Sequence, residues 1–581
     1  MAQNECALLR LSTELILQIL EYGPPPAYLD VALTCTTLHH QCRNLLDLHR
    51  EADAKYRITS DLATETVIDL LKDTNKARIE RWHVRELEIW GSRKDWEDWR
   101  PWAPKLPGTC SLADGSPTRH GLDLQDIERH IRTALELWTF SRFDSEAIHK
   151  DLEAGQDGFL KLLLIATCPR LHSLRFVKRG LDPHTTLEWM REVIKDSRRA
   201  WNGPHELHGF ESLRDIAVGI ETDQCLWNDD TSPQRDARDF AALFYIPNLE
   251  GLYFNDLHYN TAASGNYLPS DVVAQHDFPC GTSSVKHLFI DGASDFSPEY
   301  YQVIADASKN LESVILRVAS EGQQHLLHVD VLVGSLSFSN GKTLQKLIIY
   351  NPGGIHGDVF SNYQLSDLDN FRNLKLFTLA ASDIVVEELY VLHGYPNVEQ
   401  LAEYFSDSFP ASTEALYIWG RLDDYLDHLI PSDNPSDIFD STLASLIESG
   451  VLENLKVVYF ADLEKRHAQD NGEVALARPI DGGLEDTGLK QLIVPKSVAA
   501  GLRTGVHVCT VMNRDDGGYW KNFPAKPDSF DLKTGPCYGE RPASWRLNLQ
   551  SGEWGPDCEG CGECTDCLTV YPAELWKSGR S

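Results

Sequence analysis

A short apolar phrase, leucine-x-x-leucine-x-apolar, recurs along most of the chain and limits how it can fold. Each copy alternates apolar and polar residues near its end, which is the period of a strand buried on one face. The phrase therefore predicts one strand per copy. Its copies, given by their apolar positions, are Leu171-Leu174-Phe176, Leu249-Leu252-Phe254, Val285-Leu288-Ile290, Leu311-Val314-Leu316, Leu344-Leu347-Ile349, Leu374-Phe377-Leu379, Leu416-Ile418, Leu455-Val458-Phe460 and Leu489-Leu492-Val494.

Stretches between the phrases predict helices. The clearest are FLKLLLIATCP at 159–169, FAALFYIPN at 240–248, YYQVIADASKN at 300–310 and STLASLIESGV at 441–451. A strand and a helix fit the phrase intervals, which run from 26 to 36 residues between Leu249 and Leu374. Such units cannot bury their apolar faces alone, so they stack into an α/β solenoid with a parallel sheet along one side. An asparagine precedes the phrase in four copies, at Asn248, Asn310, Asn373 and Asn454.

The repeated phrase resembles a leucine-rich repeat of irregular type. That resemblance implies a horseshoe over residues 160–495 with the parallel sheet on its concave side, and a weaker start lies near Val84 to Trp90. A doubly wound α/β domain is the alternative, although the phrase recurs too often for one open sheet of ordinary size. Repeat solenoids bind proteins through a broad, rigid concave surface. The residues that would contact such a substrate are unknown from the sequence.

The first fifty residues predict a small unit of three helices. Apolar residues recur at helical spacing, and the prolines at 24–26 end the first helix, which Ser12 or Thr13 can cap. Three short helices over about forty residues make too small a core to be stable alone, so a partner chain or the following domain must cover the remaining apolar face. The apolar residues are Leu11, Leu15, Ile19 and Leu20 in the first helix, Leu29, Val31, Leu33 and Leu38 in the second, and Leu45 and Leu46 at the start of the third.

These helices resemble an F-box, whose pattern runs Leu-Pro-x-Glu-Leu, then Ile-Leu, a turn, and Val-Cys-x-x-Leu or Trp. The longer run through the prolines is similar to the F-boxes of filamentous-fungal proteins. Ser12 stands where the pattern has proline, and no tryptophan follows Cys35. An ordinary N-terminal helical cap on a larger domain is the alternative. The matching residues are Leu11, Glu14, Leu15, Ile19, Leu20, Leu33, Cys35 and Leu38.

Together the two resemblances imply a non-catalytic substrate-receptor subunit of an SCF-type E3 ubiquitin ligase. In that family the F-box packs on a Skp-type adaptor, which joins the cullin scaffold, while the repeats hold a protein substrate for ubiquitination. A leucine-rich-repeat scaffold that binds proteins outside any ligase is the alternative function. The residues expected to contact the adaptor, or to fold the unit that does, are Leu11, Leu15, Ile19, Leu20, Leu29, Leu33 and Leu38.

Four cysteines near the end of the sequence form a Cys-x-x-Cys-x-x-Cys-x-x-Cys run. Four thiolates satisfy tetrahedral zinc, which makes a structural zinc site in a C-terminal cap one hypothesis. Most structural zinc sites have a longer segment between their two pairs of cysteines, and the spacing of these four cysteines also differs from that of ferredoxin iron–sulfur sites. Reduced thiols in a short capping segment are therefore an equally good alternative. A metal-dependent or redox protein is a third functional hypothesis. The four residues are Cys558, Cys561, Cys564 and Cys567, with His507, Cys509 and Cys537 as upstream replacements.

Composition excludes several classes of function. The formal charge of -33, from 54 basic and 87 acidic residues, argues against nucleic acid or an anionic membrane as a general partner. Arg10 and Glu14 interrupt the N-terminal apolar run, no stretch of about eighteen apolar residues occurs, and the thirteen cysteines form no disulfide pattern. We therefore expect a cytoplasmic or nuclear location. Phosphate-loop, Gly-x-Ser-x-Gly and His-Glu-x-x-His motifs are missing, so no enzymatic activity is expected.

The predicted organisation has four parts. Residues 1–50 form the F-box-like unit, and 51–159 form a linker and the N-terminal cap of the repeats. Residues 160–495 form the solenoid, and 496–581 form a C-terminal cap that contains the cysteine run.

Overall fold

The computed structural model divides into two compact units, residues 1–250 and 251–581, which are described separately. The described residues are 7–61, 64–92, 124–138, 143–177, 185–199, 209–220, 235–255, 257–258, 278–293, 296–318, 328–350, 365–380, 383, 397–419, 435–461, 495–511, 544–548 and 553–556.

The first unit opens with helices. After a 3-10 turn at Ala7–Arg10 come α1 (Thr13–Glu21), α2 (Pro25–Ala32), α3 (Thr36–Gln41) and α4 (Arg43–Tyr56). The predicted break at the prolines is confirmed, and Pro25 begins α2, where a missing N–H costs little. The prediction of three helices is wrong. The expected second helix is two helices, because Cys35 is extended at φ -159° and ψ 162° and the Thr34 hydroxyl donates to the Val31 carbonyl.

The rest of the first unit alternates strands and helices. Strands β1 to β4 pair in parallel in chain order. Parallel pairing thus begins at Ile58, inside the range expected to be a linker and cap. The elements are β1 (Ile58–Ser60), α5 (Thr64–Leu71), α6 (Asn75–His83), β2 (Glu86–Ile89), α7 (Leu124–Leu137), α8 (Ser145–Glu153), α9 (Gly158–Thr167), β3 (Ser173–Val177), α10 (Thr185–Arg199), β4 (Asp215–Ile220), β5 (Arg235–Asp236) and α11 (Ala237–Leu243).

The second unit continues the same alternation. Strands β6 and β8 to β14 pair in parallel, β15 and β16 add antiparallel strands, and the strand order does not close. The elements are β6 (Gly251–Asn255), β7 (Leu257–His258), β8 (His287–Ala293), α12 (Pro298–Ala307), β9 (Ser313–Val318), α13 (Val329–Asn340), β10 (Lys346–Tyr350), a 3-10 helix (Leu365–Asn370), β11 (Leu376–Ala380), α14 (Val398–Ser408), β12 (Ala415–Trp419), α15 (Pro435–Ser449), β13 (Val457–Ala461), α16 (Pro495–Thr504), β14 (His507–Val511), β15 (Ser544–Asn548) and β16 (Glu553–Pro556).

The repeated phrase marks the strands of both units. In each full phrase that the structure describes, the strand begins two residues after the first apolar position, as β9 does after Leu311. Strand and intervening-helix predictions are therefore confirmed at these places. Seven strands were not predicted, namely β1, β4, β5, β7, β14, β15 and β16. Of these, β4 carries the phrase Leu213-Ile216-Val218, and β14 pairs directly with β13. The phrase at Leu489 lies outside the described residues.

On β6 and β8 to β12, the described side chains from the second strand position onward are buried on both faces of the sheet, which corrects the expectation of strands buried on one face. Apolar residues fill the second strand position, such as Leu288 and Val314. Neighbouring side chains at the third position, which point to the opposite face, are buried as well. These are Tyr253, Phe289, Ile315, Ile348, Thr378 and Tyr417. Large apolar side chains at this position leave little of that face exposed to water.

Three of the four asparagines that precede the phrases bond the repeat to the one before it. Asn248 donates to the Glu211 carbonyl at 2.8 Å, and Asn454 donates to the Ala411 carbonyl at 3.0 Å. Asn373 donates in the same way to the Lys342 carbonyl. Each acceptor lies two residues before the first phrase position of the preceding repeat. The recurring asparagine therefore satisfies a turn carbonyl that the strand ladder leaves unpaired.

We expect Asn454→Ala to lower the free energy of unfolding of the second unit by about 1 kcal/mol, because one amide-to-carbonyl hydrogen bond is lost. Guanidinium unfolding measures the change. Asn310→Ala is the matched control, since the equivalent carbonyl of Ser283 already accepts from the Lys309 amide at 3.0 Å. Equal losses in both variants would contradict this role for the asparagine.

A buried group of charges joins β1, β2 and α9. Lys161 lies on α9, and its Nζ is 2.7 Å from Asp61 and 3.0 Å from Asp157. Asp61 follows β1 and also accepts from the Trp90 amide at 2.7 Å. All three charged side chains are 3% exposed or less. The charges therefore satisfy one another inside the first unit and position the ends of its first strands.

Candidate functional site

Helix α1 carries two apolar stripes with different surroundings. Ile16 and Leu20, one turn apart, are 1% and 5% exposed and belong to the core of the N-terminal helices. Leu15 and Ile19, also one turn apart, are 47% and 53% exposed. Tyr22, at the end of the helix, continues the second stripe and is 84% exposed. We call Leu15, Ile19 and Tyr22 the outer face of α1.

The seven residues predicted to serve adaptor contact divide into three groups. Leu20 and Leu38 are buried in the core, whereas Leu11 and Leu29 are partly buried against it. Leu15, Ile19 and Leu33 are exposed, with Leu33 at 78%. The structure therefore leaves three of the seven exposed for a partner. The other four pack in or against the core of the unit.

Sequence reasoning missed Leu9 and Tyr22. Eight large hydrophobic side chains are exposed in the described part of the chain, and five of them lie within its first 33 residues. Isolated apolar side chains on a surface are ordinary, whereas a concentration of them marks an interaction site. Tyr22 lies three residues after Ile19, which is the spacing that could have identified it. The eight are Leu9, Leu15, Ile19, Tyr22, Leu33, Leu135, Phe338 and Val451.

Helix α6 supplies the cover that the small helical core requires. Ile79 joins the buried cluster of the N-terminal helices. Arg78 donates to the Gly23 carbonyl at 3.0 Å, and the Tyr28 hydroxyl donates to Asn75 at 2.7 Å. These contacts hold the turn between α1 and α2 on α6. The expectation that a following segment covers part of the apolar face is therefore confirmed, and the outer face of α1 stays exposed.

A second contact between α4 and α6 is a chain of two histidines and a carboxylate. Asp53 accepts from His83 Nδ1 at 3.1 Å, and His83 Nε2 lies 2.9 Å from His49 Nδ1. Because the carboxylate can only accept, the proton of the neutral His83 ring is on Nδ1. His83 Nε2 is then an acceptor, so His49 donates to it from Nδ1. The remaining nitrogen, His49 Nε2, is buried and has no hydrogen-bond partner among the described residues.

Burial changes how these histidines titrate. Burial, together with the charge of the adjacent His83, lowers the pKa of His49 to about 4. Burial also lowers the pKa of His83, although Asp53 opposes that shift. Both rings are therefore neutral near pH 7. Rings of Tyr28 and Trp82 pack edge-on against His49, each with its centroid 5.6 Å away, so the histidine acts as a packing residue.

The chemistry available at this site is apolar association. Groups of three or more histidine, cysteine or carboxylate side chains placed to hold a metal are absent from the described residues. The four C-terminal cysteines of the zinc hypothesis, Cys558 to Cys567, lie outside those residues. None of the described helices is both long and apolar enough to cross a membrane. Apolar side chains on a helix, exposed before binding, can bury their surface against a partner protein.

No protein-family model matches the chain, and no curated protein matches it in sequence.

Proposed function

We propose that the protein is the substrate-receptor subunit of an SCF-type E3 ubiquitin ligase. Its N-terminal helices dock on a Skp-type adaptor, which joins a cullin scaffold, and the strand-helix repeats hold a protein substrate. The exposed outer face of α1 is the observation that carries this proposal. In this role the chain performs no chemistry itself. It brings a lysine of the substrate near an activated thioester, which raises the effective concentration of the lysine there.

Three features of the helical unit support docking through this face. Leu15 and Ile19 occupy F-box positions, and both are exposed although the same helix buries Ile16 and Leu20. Covering the exposed parts of Leu15 and Ile19 would contribute about 1 kcal/mol each. Contacts from Arg78 and Tyr28 hold the unit on α6, so its outer face is positioned before a partner arrives. A preorganised surface loses little entropy on binding.

Within each unit, the parallel strands and their helices provide the packed surface that a receptor needs. We also propose that these repeats are leucine-rich repeats and that they contact the substrate. Because third-position side chains such as Phe289 and Tyr417 are buried, substrate binds residues other than these. The overall charge of -33 favours a partner with basic regions, although it also contributes to solubility.

We expect Leu15→Asp with Ile19→Asp to reduce capture of a Skp-type adaptor by at least about thirtyfold, since two apolar contacts at an interface are replaced by charges. A pull-down of full-length protein with purified adaptor measures this. Both side chains are exposed in the free chain, so helix content and the unfolding midpoint should stay near those of the wild type.

Phe338→Asp is the matched control, because Phe338 is 93% exposed but lies on α13 in the second unit. It should bind the adaptor as the wild type does. Adaptor binding that survives in the double variant would contradict the assigned face. A wild-type protein that binds no adaptor would contradict the ligase function and favour the scaffold alternative.

A further inference from the structure

Four basic residues follow one another along the edge where the strands of the first unit begin. Each is the residue immediately before its strand, and backbone hydrogen bonds connect them in order. The Arg85 amide donates to the Arg57 carbonyl at 3.0 Å, His172 donates to Arg85 at 2.9 Å, and Arg214 donates to His172 at 2.9 Å. Neighbouring strands lie about 5 Å apart, so the series extends over about 15 Å.

A tryptophan fixes two guanidinium groups at this edge. Arg170 lies with its Cζ 4.2 Å from the centre of the Trp82 ring, and the Cζ of Arg85 lies 5.6 Å from the same centre. Arg85 also donates through NH1 to the Trp82 carbonyl at 2.8 Å. Stacking on an aromatic ring limits the rotamers of an arginine and so prepares it to bind an anion. We call Arg57, Arg85, Arg170, His172 and Arg214 the basic cluster.

Within the described residues, no ion pair neutralises an arginine of the basic cluster. Arg214 donates through NH1 to backbone carbonyls, including that of Glu211 at 3.0 Å. Asp53 acts through space on Arg85, and Glu86 acts through space on His172. Asp53 already accepts from His83. Glu250 lies next to Arg214 on this edge, because its amide donates to the Arg214 carbonyl at 2.7 Å. The excess of positive charge is therefore concentrated at Arg57, Arg85 and Arg170, in a chain whose formal charge is -33.

The arginines of the basic cluster repel one another. Burial and the charges of Arg170 and Arg57 together lower the pKa of Arg85 to about 10, although Asp53 opposes the shift. Partial desolvation lowers the pKa of His172, with Glu86 opposing and the arginines adding to the effect. Like charges held together are unfavourable unless an anion is bound between them.

We propose that the basic cluster is a binding site for a phosphorylated segment of a partner protein. Guanidinium groups match the paired oxygens of a phosphate, and a phosphoserine or phosphothreonine carries nearly two negative charges. The 15 Å series corresponds to about four or five residues of extended peptide. Long polyanions such as nucleic acid would meet the acidic remainder of the surface, which favours a short, locally anionic segment.

The test uses the full-length chain and a fluorescein-labelled peptide of glycine and serine that carries two phosphoserines three residues apart. Fluorescence anisotropy should show saturable binding that weakens as salt rises from about 50 mM, because charge pairs are screened. Arg57→Gln and Arg170→Gln should each weaken binding about tenfold or more, as expected for a hydrogen bond to a charged group. Arg57 is exposed, so its variant should unfold at the wild-type guanidinium concentration.

Arg50→Gln is the matched control, since Arg50 is exposed on α4 and pairs with Asp47 at 2.9 Å outside the basic cluster. It should bind the peptide as the wild type does. Equal affinity for the unphosphorylated peptide, an equal loss in Arg50→Gln, or no saturation by about 1 mM would overturn the proposal. So would tighter binding of a single-stranded oligonucleotide or of phosphatidylserine vesicles.

This site is independent of adaptor docking, and the two can fail separately. Leu15→Asp with Ile19→Asp should keep peptide binding, whereas Arg57→Gln should keep adaptor binding. Either variant that abolishes both activities would contradict this separation. Loss of peptide binding alone in Arg57→Gln and Arg170→Gln is the result that supports the proposed site.

Discussion

Lys161→Met should lower the free energy of unfolding of the first unit by about 3–5 kcal/mol, because it leaves two buried carboxylates without their cation. Asp61 and Asp157 are each 3% exposed or less and lie within 3.0 Å of the Lys161 ammonium. Hydrogen exchange of the amides in β1 and β2 measures the loss in this unit directly. Guanidinium unfolding followed by tryptophan fluorescence gives a second value.

Two further variants separate the charge effect from packing. Adding Asp61→Asn and Asp157→Asn to Lys161→Met should recover much of the stability, since the buried charges are then gone. Arg503→Met removes an exposed ion pair with Glu448 and should cost at most about 1 kcal/mol. A loss below about 1 kcal/mol in Lys161→Met, or no recovery of stability in the triple variant, would show that the buried charges of Lys161, Asp61 and Asp157 do not hold the ends of β1 and β2.

Acid should destabilise the first unit through His49. The folded pKa of His49 is about 4 against an ordinary value of 6.5, so the unfolded chain takes up the proton first as pH falls below 6.5. The contribution of neutral His49 to the free energy of unfolding is therefore fully present above pH 6.5 and is lost between pH 6.5 and pH 4. From pH 7 to pH 5 we expect this histidine to account for a loss of about 1–2 kcal/mol. Guanidinium unfolding at several pH values measures it.

His49→Phe should flatten that dependence, because phenylalanine fills the space between Tyr28 and Trp82 without a titrating nitrogen. Some stability at pH 7 is lost with the bond to His83. The exposed His39 on α3 provides the comparison, and His39→Phe should keep the wild-type slope. If the His49→Phe and wild-type slopes agree between pH 7 and pH 5, the burial assigned to this ring is wrong.

Much of the architecture could be predicted because local pattern and burial coincide in the repeats. A strand with leucines at fixed spacing, followed by an apolar helix, has few ways to exclude water, so phrases such as Leu311-Val314-Leu316 identified strands correctly. The prediction was incomplete where another residue replaces the first leucine, as Thr413 does before β12. It was also wrong about strand burial. Side chains such as Phe289 and Ile348 are buried by neighbours that periodicity does not reveal.

The candidate docking site shows where sequence reasoning ends. Leu15, Ile16, Ile19 and Leu20 all fit a helical apolar pattern, and spacing alone could not divide them into Ile16 and Leu20 inside and Leu15 and Ile19 outside. The helix is apolar around more than one face, so its orientation depends on what packs against it. Ile16 and Leu20 share a buried cluster with residues of α2 to α4 and with Ile79 of α6, which lies nearly sixty residues further along the chain.

The sequence by itself determined the alternation of strands and helices, the break at the prolines and the existence of a small helical unit with surplus apolar surface. Only the tertiary structure decided which apolar residues remain exposed and which basic residues meet. Periodicity is a local property of the chain, whereas exposure depends on distant neighbours. Arg57, Arg85, His172 and Arg214 are far apart in sequence, and parallel pairing places them side by side because each stands at the same position before its strand.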